Sequence, residues 1–308
     1  MAYGDGLENR CSRKRTVGSN PTPSAILKLV TPSPVSPSLG KGKILERGAG
    51  APLKHPALSR ARRARREMKP ESLLKALTAA GLGSRRKMAD AIKYERVAVN
   101  GQIITNFRHP VNAAEDVIAL DGRVLALKAE PMITLMLHKP SGYISTLSDE
   151  RGRQKVTDLL PEKYRHLRLY PVGRLDKDST GLLLLTNDGD LAYRLTHPRY
   201  EHEKEYLVQV KGKLKKDEVR KLEKGLVLED GKTSPARIEE PAATPFNYSL
   251  TIHEGRKRQV RRMFAHLGYP VLALKRVRFG TLVLGNLPEG KTRELGAQEI
   301  ALLLTRAR

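Results

Sequence analysis

The chain has 308 residues, with 57 Lys and Arg against 33 Asp and Glu, a formal net charge of +24 and a pI near 10.2. Its 39% apolar residues suffice for one large or two ordinary folded domains. The charge calls for a polyanionic partner, nucleic acid before a membrane surface, since no stretch approaches the ~20 apolar residues of a spanning helix; a salt- or heat-adapted solvated surface is the other reading.

Residues 1–67 are rich in Ser, Pro, Gly and Arg, lack a hydrophobic period and end in the basic run Arg60 to Arg66, so the composition predicts a disordered basic tail. The tail holds fourteen Lys and Arg against four Asp and Glu, which leaves the rest of the chain basic in its own right. It reads as an arm for RNA phosphates, an organellar targeting segment, or a mis-assigned start, and the third is favoured. Gly18-Ser-Asn-Pro21 is what one frame of the transfer-RNA T-arm GGTTCGAATCC would encode, and Met68 offers a later start. The single cysteine, Cys11, excludes an internal disulfide framework and suits a reducing cytoplasm. Gly40-Lys-Gly-Lys43 lacks phosphate-loop spacing and reads as linker.

Residues 68–127 read as a small independent module. Leu73, Leu74, Leu77 and Ala80 have helical spacing and stop at Gly81-Leu-Gly83, after which Ser84 can cap a second helix carrying Arg85, Arg86 and Ile92. Val97 and Val99 alternate into the hairpin signal Asn100-Gly101, followed by Ile103-Ile104. Later, Asp116 to Leu120 turns at Asp121-Gly122 into Val124-Leu125.

Residues 128–305 read as a larger domain, with strands at Met132 to Leu137, Tyr206 to Val210 and Tyr248 to Ile252 and helices at Leu214 to Leu226 and Arg258 to Leu267. The fold class is α+β, with a mixed, mostly antiparallel sheet and a cleft across its middle. In the most informative stretch, Pro171 to Leu185, an apolar run leads into Gly173-Arg-Leu-Asp176 and a second run, Leu182 to Leu185, leaves toward the turn Asn187-Asp188-Gly189. Asp176 therefore sits on a short loop between two buried strands, where functional residues concentrate. The eight histidines show no paired metal spacing, and His253 and His266 read as packed or solvated.

Four blocks occur in order: Lys139-Pro-Ser-Gly142, Gly173 to Gly189, Glu203-Lys-Glu-Tyr206 and Glu254 to Phe264. Together they resemble the pseudouridine synthases that modify ribosomal RNA. The small module is similar to the RNA-binding domain first recognised in a small-subunit ribosomal protein of the S-four type, in which the Ser-Arg-Arg helix start faces RNA. That implies Arg85 and Arg86 as RNA contacts, consistent with guanidiniums and a helix N-terminus converging on phosphate. The resemblance covers roughly residues 68–305 and implies a bent sheet around an RNA cleft.

The resemblance further implies Asp176 as the catalytic carboxylate, Arg261 as the arginine that pairs with it, and Tyr206 as the ring that stacks on a flipped uracil near its C5 proton. Leu274 would pack the other face of the base, though it reads more readily as an ordinary core residue. Arg174 would hold the RNA near the target. Arg256, Lys257, Arg258 and Arg262 would face phosphate, Pro140 and Gly142 would shape a turn below the cleft, and Lys139 would be structural or meet phosphate. Asp178 reads as uninvolved, and Asp188 and Asp190 as turn and helix-start residues. The reaction needs neither metal nor small-molecule cofactor: the C1′–N1 bond breaks, the base turns, and C5 joins C1′. Whether Asp176 attacks C1′ or removes a sugar proton is open. The expected partner is ribosomal RNA or a pre-ribosomal particle, met by a cytoplasmic monomer. The Glu254 block and Lys224 to Gly231 look more like the large-subunit group; the same reaction on small-subunit RNA, or a noncatalytic assembly factor, are the alternatives.

Overall fold

The computed structural model describes residues 70–127, 130–241 and 245–305. The readings of residues 1–67, and of Met68 as a start, lie outside the described residues.

Strand β1 (Glu71–Ser72) leads into α1 (Leu73–Ala79), where the Ser72 hydroxyl accepts the Lys75 N–H at 3.4 Å. The chain turns at Gly81, φ +71°, and Ser84 caps α2 (Arg85–Lys93) by accepting the Lys87 N–H at 3.1 Å. Strands β2 (Val97–Val99), β3 (Gln102–Ile103), β4 (Pro110–Val111), β5 (Ile118–Leu120) and β6 (Arg123–Leu125) follow. Four of them form an antiparallel sheet in the order β3-β2-β5-β6, while β4 pairs with β1. Asn100-Gly101 and Asp121-Gly122 all take positive φ, as hairpin turns of that sequence require. Leu73, Leu77, Met88, Ile92, Val97 and Ile118 are fully buried together, so residues 71–125 possess a core of their own.

The remaining elements, in order, are β7 (Thr134–Lys139), β8 (Tyr170–Val172), β9 (Thr180–Thr186), α3 (Gly189–Thr196), β10 (Lys204–Val210), α4 (Lys216–Lys224), β11 (Val227–Leu228), β12 (Gly231–Lys232), β13 (Arg237–Glu239) and β14 (Tyr248–Ile252). Then come α5 (Gln259–His266), β15 (Val271–Phe279), β16 (Leu282–Val283), β17 (Thr292–Glu294) and α6 (Ala297–Leu304). Nine of these strands form one sheet, β13-β14-β10-β15-β9-β7-β17, with β16 beside β15 and β8 beside β9. Every pair is antiparallel except β15 with β9, in keeping with the α+β expectation.

The leucine run of β9 is buried on both faces. Leu183 and Leu185 join the main core, while Leu182 and Leu184 join a second cluster with Met136, Val172 and Leu191 on the other side. A strand covered on both faces is continuously apolar rather than alternating. The edge of β9 opposite β7 is shared: its first two residues pair with β15, and Leu184 to Thr186 pair with β8. The sheet forks there, and the loop from β8 to β9, which carries Asp176, fills the fork. Between the two cores, Lys75 on α1 and Asp190 on α3 form an exposed ion pair at 2.7 Å.

Candidate active site

A cleft of about 890 Å³ opens at the fork, lined by the Asp176 loop, the start of β10, the turn before α5 and the face of β15. The loop is fixed from below. Lys139, fully buried, donates from Nζ to the carbonyl oxygens of Pro140 (2.9 Å), Lys177 (3.1 Å) and Ser179 (2.8 Å). The Ser145 hydroxyl donates to the Leu175 carbonyl at 3.0 Å and accepts the Leu175 N–H at 3.1 Å, locking the residue before Asp176. The Gly142 N–H donates to the Lys177 carbonyl at 2.9 Å. Burial pushes the Lys139 ammonium down to about 8 against the opposing pull of Asp178 and Asp176. Lys139 thus stands beneath the loop, and the reading that let it meet phosphate is corrected: with no exposed surface it supports the acid's backbone instead.

Asp176 is 30% exposed, and its carboxylate faces Arg258 Nη1 at 3.8 Å. The same Nη1 lies 3.5 Å from Asp178. Arg258 immediately precedes α5 in the left-handed conformation, φ +51°, a strained setting for a residue with a Cβ. That backbone turn brings its side chain to the two carboxylates.

Arg261 differs from the expectation. Its Nη2 donates to the Asp178 carbonyl at 3.2 Å and lies 3.9 Å from the Asp178 carboxylate, while Nη1 donates to the Val271 carbonyl at 3.1 Å. The arginine beside Asp176 is therefore Arg258, one helical turn earlier. Arg261 clamps the loop to the start of β15, and Asp178, read as uninvolved, joins both arginines. Arg256 and Arg262 do not project freely toward a ligand either. Arg256 donates to the carbonyls of Gly231 and Lys232 and pairs with Glu254, and Arg262 pairs with Asp230 at 2.8 Å. The β11–β12 hairpin, which starts in the Lys224 to Gly231 stretch and ends at Lys232, anchors the basic block in this way.

Tyr206 lies on β10 opposite Arg276 of β15, and Val208 lies opposite Leu274. Tyr206 and Leu274 are both mostly buried, belong to the main core and line the cleft. Arg174 and Lys257 are exposed on the cleft rim. Arg85 and Arg86 are exposed at the start of α2 in the small module. Asp188 and Asp190 behave as read: the Asp188 carboxylate accepts the N–H groups of Asp190 and Leu191 and starts α3.

Sequence reasoning passed over two cations of the cleft floor, Lys204 and Arg276. The signal available was period two: Lys204 and Tyr206 share a face of β10. Lys204 Nζ donates to the His202 carbonyl at 2.7 Å, and burial, with repulsion from Arg276, pushes it down to about 8 while Glu254 opposes the shift.

A basic cleft of nucleotide size, with one carboxylate beside an arginine and a phenol on its floor, is the site of an enzyme that acts on a nucleic-acid base. Residues 133–266, which include Asp176, Tyr206, Arg258 and Arg261, match the family described as RNA pseudouridylate synthase. The chain is 44% identical over 238 residues to Ribosomal large subunit pseudouridine synthase B of Bacillus subtilis, covering 76% of this chain and 95% of that protein. It is 39% identical to the protein of that name from Vibrio cholerae, over 76% of this chain and 74% of the relative. A crystal structure of a pseudouridylate synthase superposes with a TM-score of 0.55 at 33% identity, covering 76% of this chain and 99% of the other. The chain belongs to the RNA pseudouridine synthase family, isomerases that convert uridine in RNA to pseudouridine. Among the described residues no helix is long and apolar enough to cross a membrane.

Proposed function

We propose that this enzyme isomerises a specific uridine of ribosomal RNA, in the large subunit, with Asp176 as the reacting carboxylate. The observation that carries the reading is Asp176 itself: a half-exposed carboxylate at the fork of the sheet, its loop pinned by Lys139 and Ser145 and its charge answered by Arg258. The large-subunit assignment is supported by the names of the relatives, which align over most of their own lengths. The flipped uridine enters between Tyr206 and Leu274, while Arg174 and Arg258 hold neighbouring phosphates. The small module docks the RNA through Arg85 and Arg86. The enzyme works as a monomer in the cytoplasm, on free RNA or a pre-ribosomal particle, and needs no cofactor.

The test is a map of pseudouridines in both ribosomal RNAs, by carbodiimide-dependent stops of reverse transcription, in cells with and without the gene. Loss of one large-subunit site, restored by the wild-type gene and not by Asp176→Asn, is expected. An unchanged map refutes the reading, and a lost small-subunit site moves the substrate.

A further inference from the structure

Lys204 and Arg276 lie over the Phe279 ring, Arg276 also over Tyr206, yet among the described residues neither forms an ion pair, and Glu254 acts on Lys204 only at longer range. Arg276 is 3% exposed, yet among the described residues its guanidinium donates only to neutral groups: Nε to the Leu182 carbonyl at 2.7 Å and Nη1 to the Tyr206 hydroxyl at 3.5 Å. Its Nη2 is buried and makes no hydrogen bond among the described residues. Lys204 reaches the carbonyls of His202 and His253, which are neutral as well. Burial first, and then repulsion from Arg276, lowers the Lys204 value, and the pull of Glu254 does not offset them. Burying a charge is unfavourable unless a counter-charge or a full set of hydrogen bonds compensates it, so this corner of the cleft is built for an anion that is not part of the chain.

The reaction generates such an anion. When C1′–N1 breaks, the electron pair stays on N1 and spreads to O2 and O4 of the uracil. Asp176 becomes neutral in the same step, either by bonding to C1′ or by taking the C2′ proton. By either route one negative charge passes from Asp176 to the base. C5 then bonds to C1′ as the bond to Asp176 breaks or the C2′ proton returns, the C5 proton leaves, and N1 takes up a proton.

We propose that Lys204 and Arg276 form the seat of the detached uracil, holding its negative charge between departure through N1 and return through C5. The proposal rests on the assignment of Asp176 as the reacting carboxylate. The surroundings suit a flat ring better than a phosphate: Leu274, on the same strand as Arg276, is buried, apolar and lines the cleft, while the Phe279 ring backs the two cations. Arginine can only donate, so the Tyr206 oxygen accepts from Nη1 and the phenolic hydrogen points elsewhere. The base, rather than Arg276, is then the group toward which Tyr206 acts.

Leaving-group chemistry tests the seat. The ribosomal RNA segment that contains the mapped site is prepared with uridine or with 5-fluorouridine at the target, the fluorine making the detached uracil a weaker base and a better leaving group. Single-turnover loss of the N-glycosidic nucleoside is followed by digestion and chromatography for wild type, Lys204→Gln, Arg276→Gln and Arg276→Lys. Removing either cation is expected to slow the uridine substrate by about 10²–10³-fold, the usual cost of losing one charge-stabilising donor. The deficit should shrink at least tenfold on 5-fluorouridine, with RNA affinity unchanged and Arg276→Lys partly active. Equal deficits on the two RNAs would overturn the seat. Lys204→Gln carries the test if Arg276→Gln does not fold. Turnover by Asp176→Asn, or none by wild type on either RNA, would instead refute the underlying assignment of the site.

Discussion

Gly181 and Arg276 face each other across the single parallel pairing of the sheet, so closely that a Cβ at 181 would stand 2.1 Å from the Arg276 carbonyl oxygen. Gly181 also has φ +104°, outside the range of ordinary side chains. The strand that leaves the Asp176 loop can approach β15 only because this position is bare.

Gly181→Ala should therefore push β9 from β15 and displace Asp176 from Arg258. A loss of about 3 kcal/mol in stability is expected from the clash and strain together. Urea denaturation checks this, and activity should fall further than the unfolded fraction explains.

Arg258 and Arg261 should fail in different ways. Arg258, 44% exposed, keeps surface open to phosphate while it faces Asp176 and Asp178, so Arg258→Ala should weaken RNA binding and lower the slope of log affinity against log salt by about 0.7–0.9. Arg261, 12% exposed, is committed to the carbonyls of Val271 and Asp178. Arg261→Ala should cost about 2 kcal/mol of stability and leave the salt slope unchanged. Filter binding at several salt concentrations, alongside thermal unfolding, separates the two.

The Arg85→Ala, Arg86→Ala double variant should raise the RNA concentration needed for half-maximal rate and leave the single-turnover rate at saturating RNA unchanged. A fall in the saturated rate would move these arginines from docking to chemistry.

Lys204 makes stability depend on alkaline pH. Its value is about 8 in the folded chain against 10.5 when exposed, so between these values the unfolded chain binds more protons. Unfolding free energy then rises with pH across that window, because a penalty for burying the charged amine is relieved. Wild type should gain stability relative to Lys204→Met as pH rises from about 8 to 10.5, as read by urea titrations at successive pH values.

Much of this arrangement was legible locally. The run Tyr248 to Ile252 is a strand with the bounds its pattern predicts, and Ser84 and Asp188 cap helices as their types and places suggest. The pairing β1–β4 was not legible, since each strand is two residues long and exists only through its partner. The choice between Arg258 and Arg261 was equally hidden. Both lie in one basic block, and only the left-handed turn at Arg258 decides which guanidinium reaches Asp176. Arg276 escaped because an arginine on a strand reads as solvent-facing, whereas the β9–β15 approach encloses it.

The fork that carries Asp176 closes with elements made much later. Arg258 follows Asp176 by roughly eighty residues, and β15 comes later still. At about 5–20 residues per second, a growing chain displays the acid for about 4–16 s before its counter-charge has even been polymerised. Until those residues are added, the chain holds the acid without the arginine and the strand that complete its cleft.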